Sequence, residues 1–337
     1  MKKILLLATG GTIASKATEN GLVPQISSEE LLTFVPEVAD LCTVDALQVC
    51  NLDSTNLRYP EWLAIAKAVE DQYADYDGFV VTHGTDTMAY TAAALSYLIQ
   101  NSKKPVVLTG SQKSIYSRDT DARSNLISAF RFATDERANG VHIVFDNKVI
   151  LGTRARKTRT KSYNAFSSID FPEIARIREG VLYYYIEEKV TGEPIFYHTL
   201  NPKVYVLKLI PGMDPAIFGY LKAHYDALVI ESFGVGGLPC YNDADFTEAI
   251  RDFLDAGKTI VMTTQVPHEG SDMGVYEVGY RVKEAFDLIE AYDMTIEAVT
   301  TKLMWILSLT SDREEIKRLF YTPVQRDIVF GAPLSHR

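Results

Sequence analysis

The chain has 337 residues, which is long for one hydrophobic core and typical of two domains. Its hydrophobic content of 47% is ample for buried cores. The formal net charge of −10 argues against a nucleic-acid partner, which needs a basic surface, and against binding to anionic membranes.

The cysteines and the amino terminus indicate a cytoplasmic protein without a structural metal. Cys42, Cys50 and Cys240 are an odd number without a C-x-x-C pair, which predicts neither a disulfide framework nor a zinc site. The six histidines lack metal-ligand spacing such as H-E-x-x-H. The apolar stretch Ile4–Ala8 is shorter than the ~7–15 residues of a secretory signal core, and it is therefore interpreted as a strand. No stretch approaches the ~20 apolar residues of a membrane span.

Two stretches share an unusual pattern, in which a short apolar strand runs into a glycine turn that carries hydroxyl groups. Ile4–Ala8 is followed by Thr9-Gly10-Gly11-Thr12, and the segment Gly78–Ala94 carries Thr85 and Asp86 in its turn. Ligands of open α/β sheets bind at the carboxyl ends of strands, and helix N-termini favour negative charge. The pattern indicates acyl transfer on a small polar substrate. The alternative is that these residues only cap helices and close turns.

The remaining pattern of the first half alternates strands and helices, which predicts a mainly parallel sheet with helices on both faces. Glu19–Pro24 is interpreted as a loop, and Thr109–Gln112 is expected to line the site at the next strand end. A basic run covers Thr153–Lys161. The predicted strands are Val44–Leu52, Pro105–Leu108, Val141–Phe145, Val149–Leu151 and Val181–Ile186, and the predicted helices are Ser27–Phe34, Pro60–Gln72 and Asp121–Thr134.

The alternation lapses in a segment that Gly192, Pro194 and Pro202 punctuate. We therefore predict an N-terminal α/β domain over residues 1–188, a linker over 189–203 and a C-terminal α/β domain over 204–337, each a mainly parallel sheet flanked by helices. The C-terminal predictions are strands at Val204–Leu209, Ala227–Glu231 and Thr259–Thr263, and helices near Pro215–Ala223, Asp243–Ala256, Val282–Ala291 and Thr295–Leu309.

Several motifs in the same order resemble those of the bacterial-type L-asparaginase family of amidohydrolases. The signatures T-G-G-T-I and H-G-T-D-T stand at Thr9–Ile13 and His83–Thr87. The resemblance covers essentially the whole chain and is closest to the cytoplasmic, type I branch. The supporting motifs are Asp53-Ser54-Thr55, Thr109-Gly110-Ser111, Gly234-Val235-Gly236 and Asp293-Met294-Thr295 with Lys302-Leu303.

The resemblance implies hydrolysis of L-asparagine to L-aspartate and ammonia through an acyl ester on Thr12, without a metal or organic cofactor. Matching positions make Thr85, Asp86 and Lys157 a hydrogen-bonded triad, with Asp86 also pairing with the substrate α-ammonium. Ser54 and Thr55 are expected to donate to the substrate α-carboxylate, and Asp53, Thr85 and Asp86 are the other expected substrate-binding residues. For Asp53–Thr55 the alternative is a turn at a strand end. His83 is expected to be structural.

The resemblance further implies a homodimer or homotetramer whose sites are completed across subunits. Many family members have a tyrosine in the loop after the nucleophile, where this chain has Leu22. Family members that lack this tyrosine can use a Tyr-x-x-Gly segment of the C-terminal domain, which stands here at Tyr276–Gly279. We therefore expect Tyr276 of a neighbouring subunit to serve beside Thr12; the alternatives are that Tyr276 only packs at an interface or that water fills the gap. Some type I enzymes have a second, allosteric asparagine site, but two of its positions hold Glu231 and Val266 in place of arginine and cysteine. The resemblance therefore does not imply that regulation here.

Two other functions share these motifs. One is the amide-hydrolysing subunit of a tRNA-dependent amidotransferase, which has an extra N-terminal domain that a nucleophile strand beginning at residue 4 leaves no room for. The other is a non-catalytic asparagine-binding sensor, which would be expected to lose one of Thr12, Thr85, Asp86 or Lys157. Release of ammonia from asparagine separates both from the hydrolase.

Overall fold

A computed structural model describes residues 1–18, 21–24, 26–187, 189–239, 246–275 and 277–329 of the chain. The chain divides into two compact units, Met1–His198 and Thr199–Arg337. The division falls after His198; the bounds predicted for the linker, 189–203, stay a prediction.

The N-terminal unit is built on an eight-stranded sheet with strand order β13-β12-β9-β8-β7-β5-β1-β4. Strands β4, β1, β5, β7 and β8 are parallel, whereas β9, β12 and β13 continue the sheet antiparallel. The strands of the unit are β1 (Lys3–Gly10), β2 (Ser15–Thr18), β3 (Gly21–Pro24), β4 (Thr43–Leu52), β5 (Gly78–Thr82), β6 (Ile99–Gln100), β7 (Pro105–Thr109), β8 (Gly140–Phe145), β9 (Lys148–Leu151), β10 (Ala155–Lys157), β11 (Phe166–Ser168), β12 (Ala175–Arg178), β13 (Val181–Tyr184) and β14 (Ile195–Phe196).

Helices cover both faces of this sheet because its central strands are apolar on both sides. All five residues of β5 and all five of β7 are buried. The core cluster that contains Ile4 and Leu6 of β1 also contains residues of α1 and α4, while α2 and α3 pack on each other and contribute nothing to that cluster. The helices are α1 (Ser28–Leu32), α2 (Tyr59–Asp71), α3 (Met88–Leu98) and α4 (Ala122–Ala133).

One prediction from the pattern is wrong in detail, and one segment without a predicted structure forms a strand; both belong to hairpins. The expected loop at Glu19–Pro24 contains strand β3, which pairs antiparallel with β2, and the described part of it is Gly21–Pro24. The basic run forms β10, which pairs with β11 so that Lys157 lies opposite Phe166. In both cases backbone pairing between neighbouring polar segments supplies a structure that hydrophobic alternation does not reveal.

The C-terminal unit is a four-stranded parallel sheet with strand order β15-β16-β17-β18 and helices around it. The prediction of two α/β units, each with a mainly parallel sheet, is confirmed. The elements are β15 (Val204–Lys208), α5 (Ile217–His224), β16 (Ala227–Ser232), α6 (Phe246–Asp255), β17 (Thr259–Thr264), α7 (Glu277–Phe286), β18 (Ile289–Glu290), α8 (Ile296–Leu309) and α9 (Arg313–Tyr321).

The segment after β18 is held by a helix cap and a buried ion pair. Thr295 caps α8, its hydroxyl oxygen accepting from the Ala298 N–H at 3.1 Å. Lys302 Nζ lies 2.7 Å from Asp327 Oδ2, and both side chains are fully buried. Because each charge has lost its water, removing either partner would leave an uncompensated buried charge. The pair therefore fastens the chain beyond α9 to α8.

Candidate active site

The candidate site lies where four neighbouring strands end. Strands β4, β1, β5 and β7 are adjacent and parallel, so their carboxyl ends meet at one edge of the sheet. The chain runs from β1 to β4 on one side and then crosses back to β5 on the other. The order of strands thus reverses beside β1, which is where open α/β sheets form their ligand crevice.

Glycines let the strand ends approach closely. A Cβ on Gly11 would lie 2.3 Å from the Gly84 nitrogen, and a Cβ on Gly84 would lie 2.5 Å from Ser54 Oγ. A Cβ on Gly110 would lie 2.2 Å from the His83 carbonyl oxygen. Separations under 3.0 Å are essentially never seen for real Cβ atoms, so only glycine fits these positions. Gly11 and Gly84 directly precede the two threonines of the signatures.

Thr12 begins a three-residue 3-10 helix, Thr12–Ala14, immediately after β1. Gly11 adopts φ 79° and ψ −179°, a conformation available essentially to glycine alone, and so turns the chain out of the sheet. The turn is tied back by the Gly11 N–H, which donates to the Leu52 carbonyl at 2.9 Å. Since that N–H is occupied, an oxyanion at Thr12 would have to use donors at the start of the short helix instead.

The structure brings Thr85, Asp86 and Lys157 together from two separate segments. Lys157 Nζ donates to Thr85 Oγ1 at 2.8 Å and to Asp86 Oδ1 at 2.6 Å. Thr85 is 6% exposed, the Lys157 side chain is 15% exposed, and Asp86 keeps 59% of its side chain in solvent. Lys157 therefore contacts both a buried hydroxyl and a solvated carboxylate, and it lies 72 residues from Thr85 in the sequence.

The strand end after β4 shows both a turn and a candidate binding group. Asp53 Oδ1 accepts from the Thr55 N–H at 2.9 Å and from the Thr55 hydroxyl at 2.8 Å. These bonds form the strand-end turn that was the alternative to a substrate-binding role for Asp53–Thr55. Ser54 is buried beside Gly84, and its carbonyl accepts from the Thr87 hydroxyl at 2.7 Å. The hydroxyl of this buried serine lies beside Gly84 and is a candidate ligand-binding group.

His83 belongs to a closed hydrogen-bond chain that explains its place in the signature. Its Nδ1 lies 2.7 Å from the Gly84 carbonyl, which can only accept, so Nδ1 carries the proton. Its Nε2 then accepts from the Thr91 hydroxyl at 2.8 Å, and that hydroxyl oxygen accepts from Trp62 Nε1 at 2.9 Å. Burial lowers the pKa of His83 to about 4, so the ring is a neutral structural link between β5, α3 and α2.

The loop that follows β7 contains the contacts that sequence reasoning missed. Asp121 is buried and accepts from the Gln112 and Lys113 N–H groups at 3.0–3.1 Å. Asn125 Nδ2 donates to the Gly110 carbonyl at 2.9 Å. The sequence signal for this anchor is an aspartate placed one residue before a helix, which is common enough in proteins to have no diagnostic value.

Two residues of interest, Tyr276 and Cys240, lie outside the described residues. Within the described ranges no group of three or more His, Cys, Asp or Glu side chains is arranged to hold a metal ion. Nor does any helix in the described part of the chain have the length and apolar character needed to cross a membrane.

Comparison with known proteins identifies the family. A family model described as "Asparaginase, N-terminal" matches residues 3–189, and one described as "Glutaminase/Asparaginase C-terminal domain" matches residues 203–320. An L-asparaginase of Thermococcus kodakarensis is 40% identical over 97% of this chain and 99% of its own length. A subunit of the glutamyl-tRNA(Gln) amidotransferase of Methanopyrus kandleri is 36% identical over 99% of this chain and 77% of its own length.

Solved structures give the same result. The thermostable L-asparaginase from Thermococcus kodakarensis superimposes with a TM-score of 0.91 at 38% identity, covering 98% of this chain and all of that one. L-asparaginase I from Vibrio cholerae gives a TM-score of 0.86 at 28% identity, over 97% and 99% of the two chains. Fold and site define a two-domain α/β protein of the amidohydrolase type. The chain belongs to the asparaginase family.

Proposed function

We propose that the protein hydrolyses L-asparagine to L-aspartate and ammonia through an ester on Thr12. The observation that carries the proposal is the contact of Lys157 Nζ with Thr85 Oγ1 and Asp86 Oδ1, at 2.8 and 2.6 Å, beside the turn that carries Thr12. Family membership and an L-asparaginase relative at 40% identity support the same reaction. Of the paired hydroxyl groups, Thr12 is the nucleophile because it is partly exposed, whereas Thr85 is buried and already bonded.

The reaction proceeds in two balanced steps. The Thr12 oxygen attacks the side-chain amide carbon of asparagine, the C–N bond breaks, and the nitrogen leaves as ammonia with the threonine proton. Water then attacks the β-aspartyl ester, giving aspartate and returning a proton to Thr12. The oxyanion of each tetrahedral intermediate needs preorganised donors, which we assign to N–H groups at the start of the Thr12–Ala14 helix.

The triad places the Thr85 hydroxyl and the Lys157 ammonium where they can act on an attacking water. In the described arrangement Lys157 is a donor to both of its partners, so its positive charge stabilises negative charge that develops on Thr85. We propose that Thr85 and Lys157 relay protons for the attacking water, while Asp86 positions the α-ammonium group of the substrate.

Substrate recognition uses the charges of free asparagine. Asp86 offers its second carboxylate oxygen to the α-ammonium, since only Oδ1 is used by Lys157 among the described residues. Ser54 Oγ, next to Gly84, is the donor that we assign to the α-carboxylate. Thr55 and Asp53 bond each other, and we propose that they shape this end of the site. An uncharged amide without these two groups would lose both contacts.

The protein is proposed to be a cytoplasmic homodimer or homotetramer that needs no cofactor. A similar solved structure is named a probable cytoplasmic L-asparaginase, from Campylobacter jejuni, at 27% identity and a TM-score of 0.81. Relatives named as subunits of a glutamyl-tRNA(Gln) amidotransferase keep the tRNA-dependent alternative open, because one of them matches 99% of this chain. An asparagine-binding sensor is the second alternative.

The test is ammonia release by the purified chain with asparagine or glutamine as the only substrate. Turnover of free asparagine without tRNA supports the hydrolase, and its absence refutes it. Thr12→Ala is expected to lower kcat about 1000-fold or more while the melting temperature stays unchanged. If that variant folds and keeps more than a trace of the parent's kcat, Thr12 is not the nucleophile.

A further inference from the structure

The loop over residues 110–121 touches both halves of the candidate site. On one side the Ser114 hydroxyl donates to the Ser15 carbonyl, and the Ile115 N–H donates to the Ile13 carbonyl at 3.3 Å. These contacts hold the short helix that begins at Thr12. On the other side the same loop reaches Thr85 through Gln112. One segment is thus in contact with the nucleophile's turn and with the triad.

The carboxamide of Gln112 has a fixed orientation. Its Nε2 lies 3.1 Å from the Ser162 carbonyl oxygen, which can only accept, so the amide nitrogen must face Ser162. The amide oxygen must then face Thr85, whose hydroxyl donates to it at 3.1 Å. The backbone N–H of Gln112 donates to the Asp121 carboxylate at 3.0–3.1 Å, which anchors the residue at its main chain.

These contacts close a ring around the triad. Lys157 donates to Thr85, Thr85 donates to Gln112, and Gln112 donates to Ser162. Ser162 lies five residues after Lys157, in the connection between β10 and β11. A threonine hydroxyl has one proton, which Thr85 donates in its hydrogen bond to Gln112 Oε1. The lone pairs of Thr85 Oγ1 are therefore left facing Lys157 Nζ.

We propose that Gln112 is a positioning residue that sets the hydroxyl direction of Thr85 and holds the Lys157 hairpin against it. The inference rests on the proposed function, because it assigns Gln112 to the same triad. The amide oxygen performs the first task and the amide nitrogen the second. Each task can be removed separately, since glutamate keeps an acceptor for Thr85 but has no N–H for Ser162.

The test compares Gln112→Met, Gln112→Glu and the matched control Gln100→Met. The Gln100 side chain makes one hydrogen bond to a described residue, from its Nε2 to the Tyr97 carbonyl at 3.1 Å, and the same substitution there touches no part of the triad. With asparagine, Gln112→Met is expected to lower kcat about 10- to 100-fold with KM changed less than about 3-fold, because a displaced group of about 1 Å costs that much. Gln112→Glu is expected to recover most of the lost kcat, and Gln100→Met to keep the parent's kcat.

Backbone hydrogen exchange of residues 158–165 gives a readout that does not depend on activity. Both Gln112 variants are expected to exchange faster there than the parent, since both lose the donor to Ser162, whereas Gln100→Met is not. If residues 158–165 exchange no faster in Gln112→Met than in the parent, Gln112 does not hold the Lys157 hairpin. If the kcat of Gln112→Glu is as low as that of Gln112→Met, the amide oxygen does not have the proposed role. If the parent does not hydrolyse asparagine but both Gln112 variants exchange faster at residues 158–165, the proposed function fails while the structural role of Gln112 at the Lys157 hairpin is supported.

Discussion

Gly11→Ala tests whether the close approach of two strand ends builds the site. The added Cβ would lie 2.3 Å from the Gly84 nitrogen and 2.5 Å from its Cα, so the two segments must separate by about 1 Å to reach normal contact. The φ of 79° is an additional source of strain. Backbone strain costs about 1–3 kcal/mol and overpacking about 1–3 kcal/mol. We expect a total loss of about 2–6 kcal/mol.

Gly212→Ala is the matched control, because Gly212 has the same φ of 79° and nothing within 4 Å of an added Cβ. It has the same positive φ without the collision. Since 1 kcal/mol shifts the melting temperature of a unit of this size by about 2–4 °C, the collision alone should lower that of Gly11→Ala by about 2–12 °C beyond the control. Its kcat should fall about 100-fold, because the displacement falls on Thr12.

The assays are thermal unfolding by circular dichroism and ammonia release from asparagine, on both variants and the parent. Gly212→Ala is expected to keep kcat within about 2-fold, since its effect is confined to local backbone strain. If Gly11→Ala melts with Gly212→Ala and retains kcat within about 3-fold of it, the contact between Gly11 and Gly84 does not position the two threonines that we propose to be catalytic. The reasoning from close approach would then be refuted.

Three further predictions concern the triad, the subunits and pH. Thr85→Val and Lys157→Met are each expected to lower kcat about 100- to 10,000-fold, and the double variant should lose little more; multiplicative losses would contradict a coupled unit. Mixing inactive Thr12→Ala subunits with inactive Tyr276→Phe subunits should restore activity if Tyr276 acts across subunits, and a fully active Tyr276→Phe rules this out. Melting temperature should fall between pH 6.5 and about 4, because two fully buried histidines are neutral in the folded chain.

The strand ends of the site could be predicted from the sequence because their physical causes are local. A buried apolar run, a glycine and a hydroxyl residue recur after β1 and β5, and the parallel order of the strands then places both turns at one edge. The close contacts between individual residues at these strand ends could not be predicted from the sequence. Gly11 and Gly84 are visible as glycines, but only the three-dimensional contacts show that a Cβ on Gly11 would meet Gly84 and that a Cβ on Gly84 would meet Ser54.

Lys157 marks the limit of pattern reasoning. It is one of several cations in Thr153–Lys161, where polar residues follow one another and hydrophobic alternation gives no facing direction. The antiparallel pairing of Lys157 with Phe166 fixes which way each side chain points. Arg154 in the same run is fully buried and Lys161 is exposed, so composition alone could not distinguish a site residue from its neighbours.

Long-range pairing also explains the errors in the C-terminal unit. The pattern predicts a helix over Val282–Ala291, but α7 ends at Phe286 and Ile289–Glu290 joins the sheet as β18. Ile289 pairs with Val261, and Glu290 accepts from the Met273 N–H at 2.8 Å. A two-residue strand is too short to show a periodic pattern in the sequence. Only pairing with the neighbouring β17 favours the extended conformation of Ile289–Glu290 over a continued helix.

The pH prediction follows from the burial of His83 and His142. Burial lowers the pKa of each to about 4, from an ordinary value of 6.5. As the pH falls below 6.5 the unfolded chain binds a proton at each site while the folded chain does not, so the contribution of the two histidines to stability is lost between pH 6.5 and about pH 4. The difference of about 2.5 pKa units corresponds to about 3 kcal/mol for each histidine.

His142→Met isolates one of these contributions without touching the site. His142 packs edge-on against Phe132, with ring centroids 5.0 Å apart, so an apolar replacement of similar volume keeps the contact. Its melting temperature should fall between pH 6.5 and pH 4 by about 6–12 °C less than that of the parent, because one proton-linked loss is gone. His198→Gln, at a side chain that is 63% exposed, should follow the parent. An equal fall in His142→Met and the parent would mean that His142 binds its proton without unfolding.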